Sequence, residues 1–250
     1  MKNKFKGELK RIDPKFLVSN SKEDKVEDFF ITLGLVFNDL KGFMLFIKLL
    51  EDNYEKPDND AATVHAGNFG GILVQIDRFV ISSIFEFFKF LEENKDLFSR
   101  SEFGEILDKL SKENKNLWQG LFAASRGDLS GLSDFFKTLL RVRNNIGYHY
   151  YEAGKNLRRG YRSFFSRNKN SRNEEAFYSI GENVEKTRFY FSDAAAAEFI
   201  QLAAGKKDSE EENELLKKFR TQLGYTINVL NLAIANILDK YIKSKRNCPH

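Results

Sequence analysis

Residues 143–149, with the sequence Arg-Asn-Asn-Ile-Gly-Tyr-His, bring together side chains that could act on a phosphodiester. The guanidinium of Arg143 is permanently charged, and its fork of N–H donors matches the oxygens of a phosphate. The imidazole of His149 titrates close to neutral pH, so it can accept or donate a proton. Attack by a 2′-hydroxyl requires a base, a proton for the leaving oxygen and positive charge at the phosphate. The segment therefore contains the groups that such a reaction needs.

The position of His149 allows a second interpretation. A histidine in an apolar helical stripe is more often a packed core residue than a catalytic one. Its neighbours favour a functional site, because Arg141 and Arg143 would be costly to bury and Gly147 weakens a helix. On a straight helix, positions 143 and 149 differ by about 120° in direction, so a bend at Gly147 or the reach of the arginine must bring them together. The stripe consists of Leu132, Phe135, Leu139, Val142, Ile146, His149 and Ala153.

A basic stretch follows the motif. It has no acidic residue between its first and last cation, and three aromatic residues, Tyr161, Phe164 and Phe165, interrupt it. Cations neutralise phosphates and aromatic rings stack on unpaired bases, so this pattern predicts contact with nucleic acid. A solvated face with aromatic anchors in the core is the alternative, although so one-sided a charge run repels itself and favours an anion. The cations are Lys155, Arg158, Arg159, Arg162, Arg167, Lys169 and Arg172.

Arg143, the polar Asn144 and His149 after five intervening residues resemble the signature of HEPN domains. That signature is an arginine, usually followed by a polar residue, with a histidine a few positions later on a helix of a bundle. The resemblance covers the motif and the general helical pattern. It does not extend to residues 168–207, which we interpret as an insertion before the last helix.

The resemblance implies a metal-independent endoribonuclease, often a toxin or an antiviral defence effector, in which two copies of the motif meet across a homodimer. Arg143 would then bind and polarise the scissile phosphate, and His149 would assist proton transfer. Asn144 would orient the site by hydrogen bonding. From the charge pattern, the predicted nucleic-acid-binding residues are Arg141, Lys155, Arg158, Arg159, Tyr161 and Arg162.

Apolar periodicity predicts the elements that must position these residues. The sequence favours helices over residues 24–53, 68–93 and 101–121, a fourth from about 130 towards 165, and a last helix that opens in the acidic patch 208–214. Residues 187–191 allow a small two-stranded β-ribbon, after which Ser192 or Asp193 could cap a short helix over 194–197. We therefore predict an all-α, up-and-down bundle of four to six helices, forming one HEPN-like domain over residues 1–250.

Composition argues against several other classes of protein. The chain has three histidines and one cysteine, Cys248, and they are scattered, so a zinc site is not expected. We predict no metal and no cofactor. The glycines before the second helix lack the Lys-Ser/Thr of a P-loop, and no G-x-S-x-G elbow is present. Charges interrupt the most apolar run, 29–50, so we expect a core helix there and no membrane span. The single cysteine cannot close an intrachain disulfide, so we expect a reducing, cytoplasmic location.

Three functions remain open at the level of sequence. The first is the endoribonuclease, acting on single-stranded or structured RNA as a homodimer. The second is a module of the same fold that binds nucleic acid without chemistry. The third is an interaction protein, for example the partner of an antitoxin or of another defence protein.

Overall fold

The computed structural model describes residues 24–54, 67–127, 134–147, 150–166, 176–206 and 212–246, together with positions 12, 14, 17 and 18. Within these ranges the chain forms eight α-helices and no β-strand. The all-α prediction is confirmed, but the helices number more than the four to six predicted, because two predicted helices are each divided in two. Two short 3₁₀ turns, Lys95–Ser99 and Val184–Lys186, complete the regular structure. The helices are α1 (Lys25–Asp52), α2 (Gly67–Glu93), α3 (Ser101–Asp108), α4 (Lys112–Ser125), α5 (Asp134–Ile146), α6 (Tyr150–Ser166), α7 (Tyr190–Ala203) and α8 (Glu212–Arg246).

Helix α1 begins where the sequence predicts it. The carboxylate of Asp24 accepts hydrogen bonds from the N–H groups of Val26 at 2.8 Å and Glu27 at 3.3 Å. This cap satisfies donors that the first turn of a helix leaves unpaired, and the acidic residues of that turn suit the helix dipole. Helix α2 likewise matches its predicted bounds.

The core lies among α1, α2, α4 and α8. Phe29, near the start of α1, stacks on Phe90 at the end of α2 with 4.9 Å between ring centroids. Phe30 stacks on Tyr241, near the end of α8, at 4.0 Å. Helix α1 therefore runs antiparallel to both α2 and α8. The indole of Trp118 in α4 is fully buried and donates to the carbonyl of Ala233 in α8 at 3.3 Å.

The third predicted helix, over 101–121, is wrong as a single element. The chain forms α3 and α4 instead, with a break at residues 109–111. The hydroxyl of Ser111 accepts a hydrogen bond from the N–H of Asn114 at 3.3 Å and so caps α4. Serine competes with the backbone of a continuous helix in this way, which explains why an unbroken apolar pattern spans two helices.

The fourth predicted helix, from 130 towards 165, is also wrong as a single element. Helix α5 ends at Ile146 and α6 begins at Tyr150. The break lies inside the motif, where hydrogen bonds from Arg78, described below, satisfy the backbone carbonyls at the end of α5. Residues 130–133 lie outside the described part of the chain.

Residues 176–189 form a short irregular hairpin in place of the predicted ribbon. One antiparallel bridge joins Ser179 to Arg188, with N–H to carbonyl distances of 2.7 and 3.0 Å. Helix α7 then starts at Tyr190, before the predicted caps at Ser192 and Asp193. Its residues Phe199 and Ile200 are buried in the main core, so part of the segment interpreted as an insertion packs with the other helices.

Helix α1 carries a second apolar face that points to solvent. Among the described helices, it is the one that is long and apolar enough to cross a membrane. The core helices of soluble proteins can have the same length and composition. Four of its large apolar side chains are exposed, and at 100° per residue they lie within about 60° of one another around the helix axis. These four residues, called the α1 stripe below, are Ile31, Leu35, Phe46 and Leu49.

Candidate functional site

Arg143 lies in the last turn of α5 and rests on the surface of α2. Its side chain is 31% exposed, and its Nη2 atom is 3.7 Å from the Oε1 atom of Glu86. The guanidinium carbon lies 5.8 Å from the centre of the Phe85 ring. Nη1 donates to the Oδ1 atom of Asn144 at 3.2 Å. The two predicted site residues Arg143 and Asn144 are therefore in direct contact, with the cation accessible to solvent.

The end of α5 is held by an arginine from α2. The Nε atom of Arg78 donates to the carbonyl of Ile146 at 2.6 Å, and Nη2 donates to the carbonyl of Gly147 at 2.8 Å. The last carbonyls of a helix have no partner within it, and a cation at this end is also favoured by the dipole. Arg78 therefore stabilises the helix end at which the motif is interrupted.

Gly147 is required by the geometry of this end. Its N–H donates to the carbonyl of Arg143 at 3.2 Å, and a Cβ atom at position 147 would lie 2.5 Å from that same oxygen. Such a contact is far inside van der Waals distance. A side chain here would push the Arg143 backbone away, so the glycine allows residue 147 to approach the Arg143 carbonyl closely.

His149 lies outside the described residues, as does Tyr148. On either side of them, Gly147 directly follows the last residue of α5, and Tyr150 is the first residue of α6. Because the two helices are separate, the 120° separation that applies to a straight helix does not constrain Arg143 and His149. Their convergence stays a prediction.

Two polar contacts link the motif to the following helices. The side chain of Asn145 donates to the carbonyl of Arg141 at 2.5 Å and accepts from the amide of Asn156 in α6 at 2.9 Å. Arg141 donates to the carbonyl of Ala203, at the end of α7, at 3.2 Å. Arg141, which we predicted as a nucleic-acid-binding residue, thus also caps a helix, while its side chain remains exposed.

Helix α6 presents its cations to solvent. Lys155, Arg158, Arg159 and Arg162 are all exposed, and so is Tyr161 at 38%. Within the described part of the chain, the first three of these cations make no ion pair. The helix has no acidic residue from position 155 to its end. The solvent side of α6 is therefore a strongly cationic surface, called the α6 face below.

The opposite side of α6 explains why the cations point outward. A Cβ atom at Gly160 would lie 2.1 Å from the carbonyl oxygen of Ala195, so α6 and α7 touch backbone to backbone. Nearby, Ser163 donates to the carboxylate of Glu198 at 2.7 Å, and Lys206 forms a fully buried ion pair with the same carboxylate at 2.7 Å. Small residues and a satisfied buried pair fill this interface.

Sequence reasoning missed Arg78, Glu86 and Asn156 as neighbours of the motif. Asn156 and Glu86 gave no distinctive signal. Arg78 did, because Asp77 and Arg78 are the only charged residues between positions 69 and 85 of an otherwise apolar helix. A charged side chain in such a position usually has a specific partner. Among the described residues, no three His, Cys, Asp or Glu side chains form a group that could hold a metal ion.

Comparison with known proteins adds no relative: no family model, no curated protein and no solved structure matches this chain.

Proposed function

We propose that this protein is a metal-independent endoribonuclease of the HEPN type, with Arg143, Asn144 and His149 at its centre. One observation supports this above all. A solvent-accessible arginine, hydrogen-bonded to the adjacent asparagine, lies in the last turn of α5, and the cationic α6 face begins shortly after the histidine in the chain. Asn145 and Asn156 join the end of α5 to α6 at 2.9 Å, so a phosphate bound at Arg143 would lie near a surface able to hold the rest of the strand.

In this mechanism the fork of Arg143 binds the scissile phosphate and stabilises the charge that develops on it. His149 takes the proton of the attacking 2′-hydroxyl or gives one to the leaving 5′-oxygen. The products are a 2′,3′-cyclic phosphate and a 5′-hydroxyl. Asn144 holds one Nη atom of the arginine and so limits the directions in which the fork can point.

Under this proposal, the phosphate would replace Glu86 as the anion next to Arg143. Its carboxylate is 3.7 Å from Arg143 and its side chain is 65% exposed. An exposed ion pair of this kind contributes roughly 0 to 1 kcal/mol, so a phosphodiester, whose two non-bridging oxygens match the guanidinium fork, can displace it. Glu86 would then pair weakly with Arg143 only while no substrate is bound.

The α6 face and Arg141 would bind the strand on either side of the cleaved bond. Phosphate contacts by Lys155, Arg158, Arg159 and Arg162 fix the strand in position and do not depend on its sequence. Tyr161 adds an exposed ring on which a base can stack.

The proposal includes a homodimer, in which each copy supplies one arginine and one histidine. The α1 stripe supports self-association, because it exposes four large apolar side chains on one side of a helix. Covering them with a second copy would remove apolar surface from water, which is favourable. Control by an antitoxin or another defence protein is part of the same proposal.

The decisive experiment is cleavage of end-labelled single-stranded RNA in the presence of EDTA. We expect fragments that end in a cyclic phosphate, and a loss of about 100-fold or more for His149→Ala and for Arg143→Ala. His65→Ala, which changes a histidine outside the motif, should keep the wild-type rate. The proposal fails if wild type leaves the RNA intact in every buffer tested, or if His149→Ala cleaves as fast as wild type.

A second function is nucleic-acid binding without chemistry, and it is favoured by the exposed cations Lys155, Arg158 and Arg159, which make no ion pair with any described residue. It predicts binding that weakens with salt, survives His149→Ala and is lost when Arg158 and Arg159 are both changed to Gln. Absence of cleavage together with this pattern would favour the binding module. Absence of both, with a protein partner bound at the α1 stripe, would favour the interaction protein.

A further inference from the structure

Five aromatic rings form a continuous series that leads from the 176–189 hairpin to the α6 face. The ring centroids are 6.4 Å apart for Tyr178 and Phe189, 5.9 Å for Phe189 and Phe191, and 6.5 Å for Phe191 and Tyr161. Tyr161 then packs on Phe165 at 4.4 Å. We call these five residues the aromatic ladder. It joins α6 to the hairpin and to the first turn of α7, which the spacing of residues alone does not predict.

Much of the ladder is open to solvent. Tyr178 is 61% exposed, Phe189 is 50% exposed and Tyr161 is 38% exposed. Single exposed aromatic residues are ordinary on protein surfaces. Three of them in one connected series form a surface on which planar groups can stack, because a large part of each ring is open to solvent.

The hairpin is built to present these rings. Tyr178 and Phe189 lie next to the bridged pair Ser179 and Arg188 and directly opposite each other, so they share one face. The other face is anchored: Arg188 pairs with Asp193 in the first turn of α7 at 2.8 Å. Gly71 of α2 makes room for this pair, since a Cβ atom there would lie 2.0 Å from the Arg188 guanidinium.

The ladder ends among cations. On α6, Arg158 precedes Tyr161 by three positions, and residues at that spacing are neighbours on a helix surface. At 100° per residue, Arg158 lies about 60° from Tyr161 around the helix axis, Arg162 about 100° and Arg159 about 160°, and all three are exposed. A surface that combines stacked rings with a cationic face fits a partner that has both planar groups and regularly spaced negative charge. Charge complementarity therefore favours a nucleic acid over a protein.

We infer that the aromatic ladder binds the unpaired bases of single-stranded RNA while the α6 face holds its phosphates. This inference rests on the proposed function and specifies its substrate class. Bases in a duplex are stacked on one another and cannot reach the rings, so the ladder selects unpaired strands. The 176–189 hairpin then has a role, as the arm that extends the binding surface beyond the motif.

The test is fluorescence anisotropy with a labelled 2′-O-methyl 12-mer, which lacks the 2′-hydroxyl and so reports binding without cleavage. The same strand annealed to its complement is the duplex probe. Tyr178→Ala combined with Phe189→Ala should weaken single-strand binding about tenfold or more and leave the dependence on salt unchanged, since stacking releases no counterions. Tyr225→Ala, which removes a 73% exposed ring from α8, is the matched control and should bind like wild type.

Each result has a distinct meaning. Arg158→Gln combined with Arg159→Gln should weaken the binding of both probes and lower the dependence of that binding on salt. If the ladder variant binds the single strand as tightly as wild type does, or if wild type binds the duplex equally well, the inference is overturned while the proposed RNA binding stands. In that event the rings would serve a protein contact. If wild type binds neither probe at any salt concentration, both the inference and the proposed function fail.

Discussion

The guanidinium of Arg78 donates a hydrogen bond to the backbone carbonyl of Gly147 at 2.8 Å. The two residues are 69 positions apart, and the contact joins the middle of α2 to the interruption in the motif. It places a second arginine at the helix end that carries Arg143. The geometry of the candidate site thus depends on a residue that the motif does not include.

Replacing Arg78 should loosen this helix end. Arg78→Gln would leave the carbonyls of Ile146 and Gly147 without a charged donor, and we expect the free energy of unfolding to fall by about 1–3 kcal/mol. Arg78→Lys keeps the charge but not the fork, so it should recover only part of the loss. Chemical denaturation measures both. Equal stability of all three proteins would contradict the capping role.

Removing the Glu86 carboxylate should increase the affinity for RNA. In Glu86→Gln, the guanidinium of Arg143 no longer has a carboxylate at 3.7 Å, and a nearby negative charge is lost. We expect binding of the 2′-O-methyl strand to tighten about two- to fivefold, in line with the small energy of exposed ion pairs. Glu92→Gln, which alters an exposed residue of the same helix, is the control. Equal gains in both variants would point to bulk charge and away from a site at Arg143.

Two glycines of α6 should respond in opposite ways to substitution by alanine. Gly160→Ala forces a Cβ atom to within 2.1 Å of the Ala195 carbonyl, so we expect a loss of about 1–3 kcal/mol in unfolding free energy. Gly154→Ala meets open space on the same helix and should stabilise by up to about 1 kcal/mol. Thermal and denaturant unfolding of both variants would measure this. A stabilised Gly160→Ala protein would be inconsistent with the close approach of α6 and α7.

Stability near Asp77 should depend on pH. Burial raises the pKa of this carboxyl, although Arg220 in α8 opposes the shift with an ion pair of 2.9 Å. Because the folded-state pKa lies above the unfolded-state value, the folded protein binds more protons, and its stability falls as the pH rises through that window. The melting temperature of Asp77→Asn relative to wild type should therefore increase from pH 4 to pH 7. A difference that does not change with pH would show that Arg220 cancels the effect of burial.

The α1 stripe should control self-association. Leu35→Lys together with Phe46→Lys places two charges on an exposed apolar surface, so the dimer we propose should dissociate without loss of helix content. Light scattering after size-exclusion chromatography gives the mass, and circular dichroism gives the helix content. Val184→Lys, at an 88% exposed position of the hairpin, should leave the mass unchanged. A wild-type protein that is monomeric at high concentration would rule out this role for the stripe.

The residues show why some predictions agree with the structure and others do not. Helix α1 has a capping aspartate, Asp24, and an apolar pattern with helical spacing that continues along its length. Both are local features of the chain, so the bounds of α1 follow from the sequence. The division between α5 and α6 could not be predicted in the same way. The apolar stripe continues across it, and the hydrogen bonds of Arg78 that favour the break come from another helix.

The sequence by itself determined the helical class of this protein and the cationic character of α6, because helix periodicity and charge pattern are local properties of the chain. The tertiary structure decided that α2 supplies Glu86 and Arg78 to the motif, and that Tyr178 and Phe189 meet Tyr161 in one ladder. These relationships join residues that are far apart along the chain. They form only when buried surfaces such as Gly160 against Ala195 fix how the helices pack.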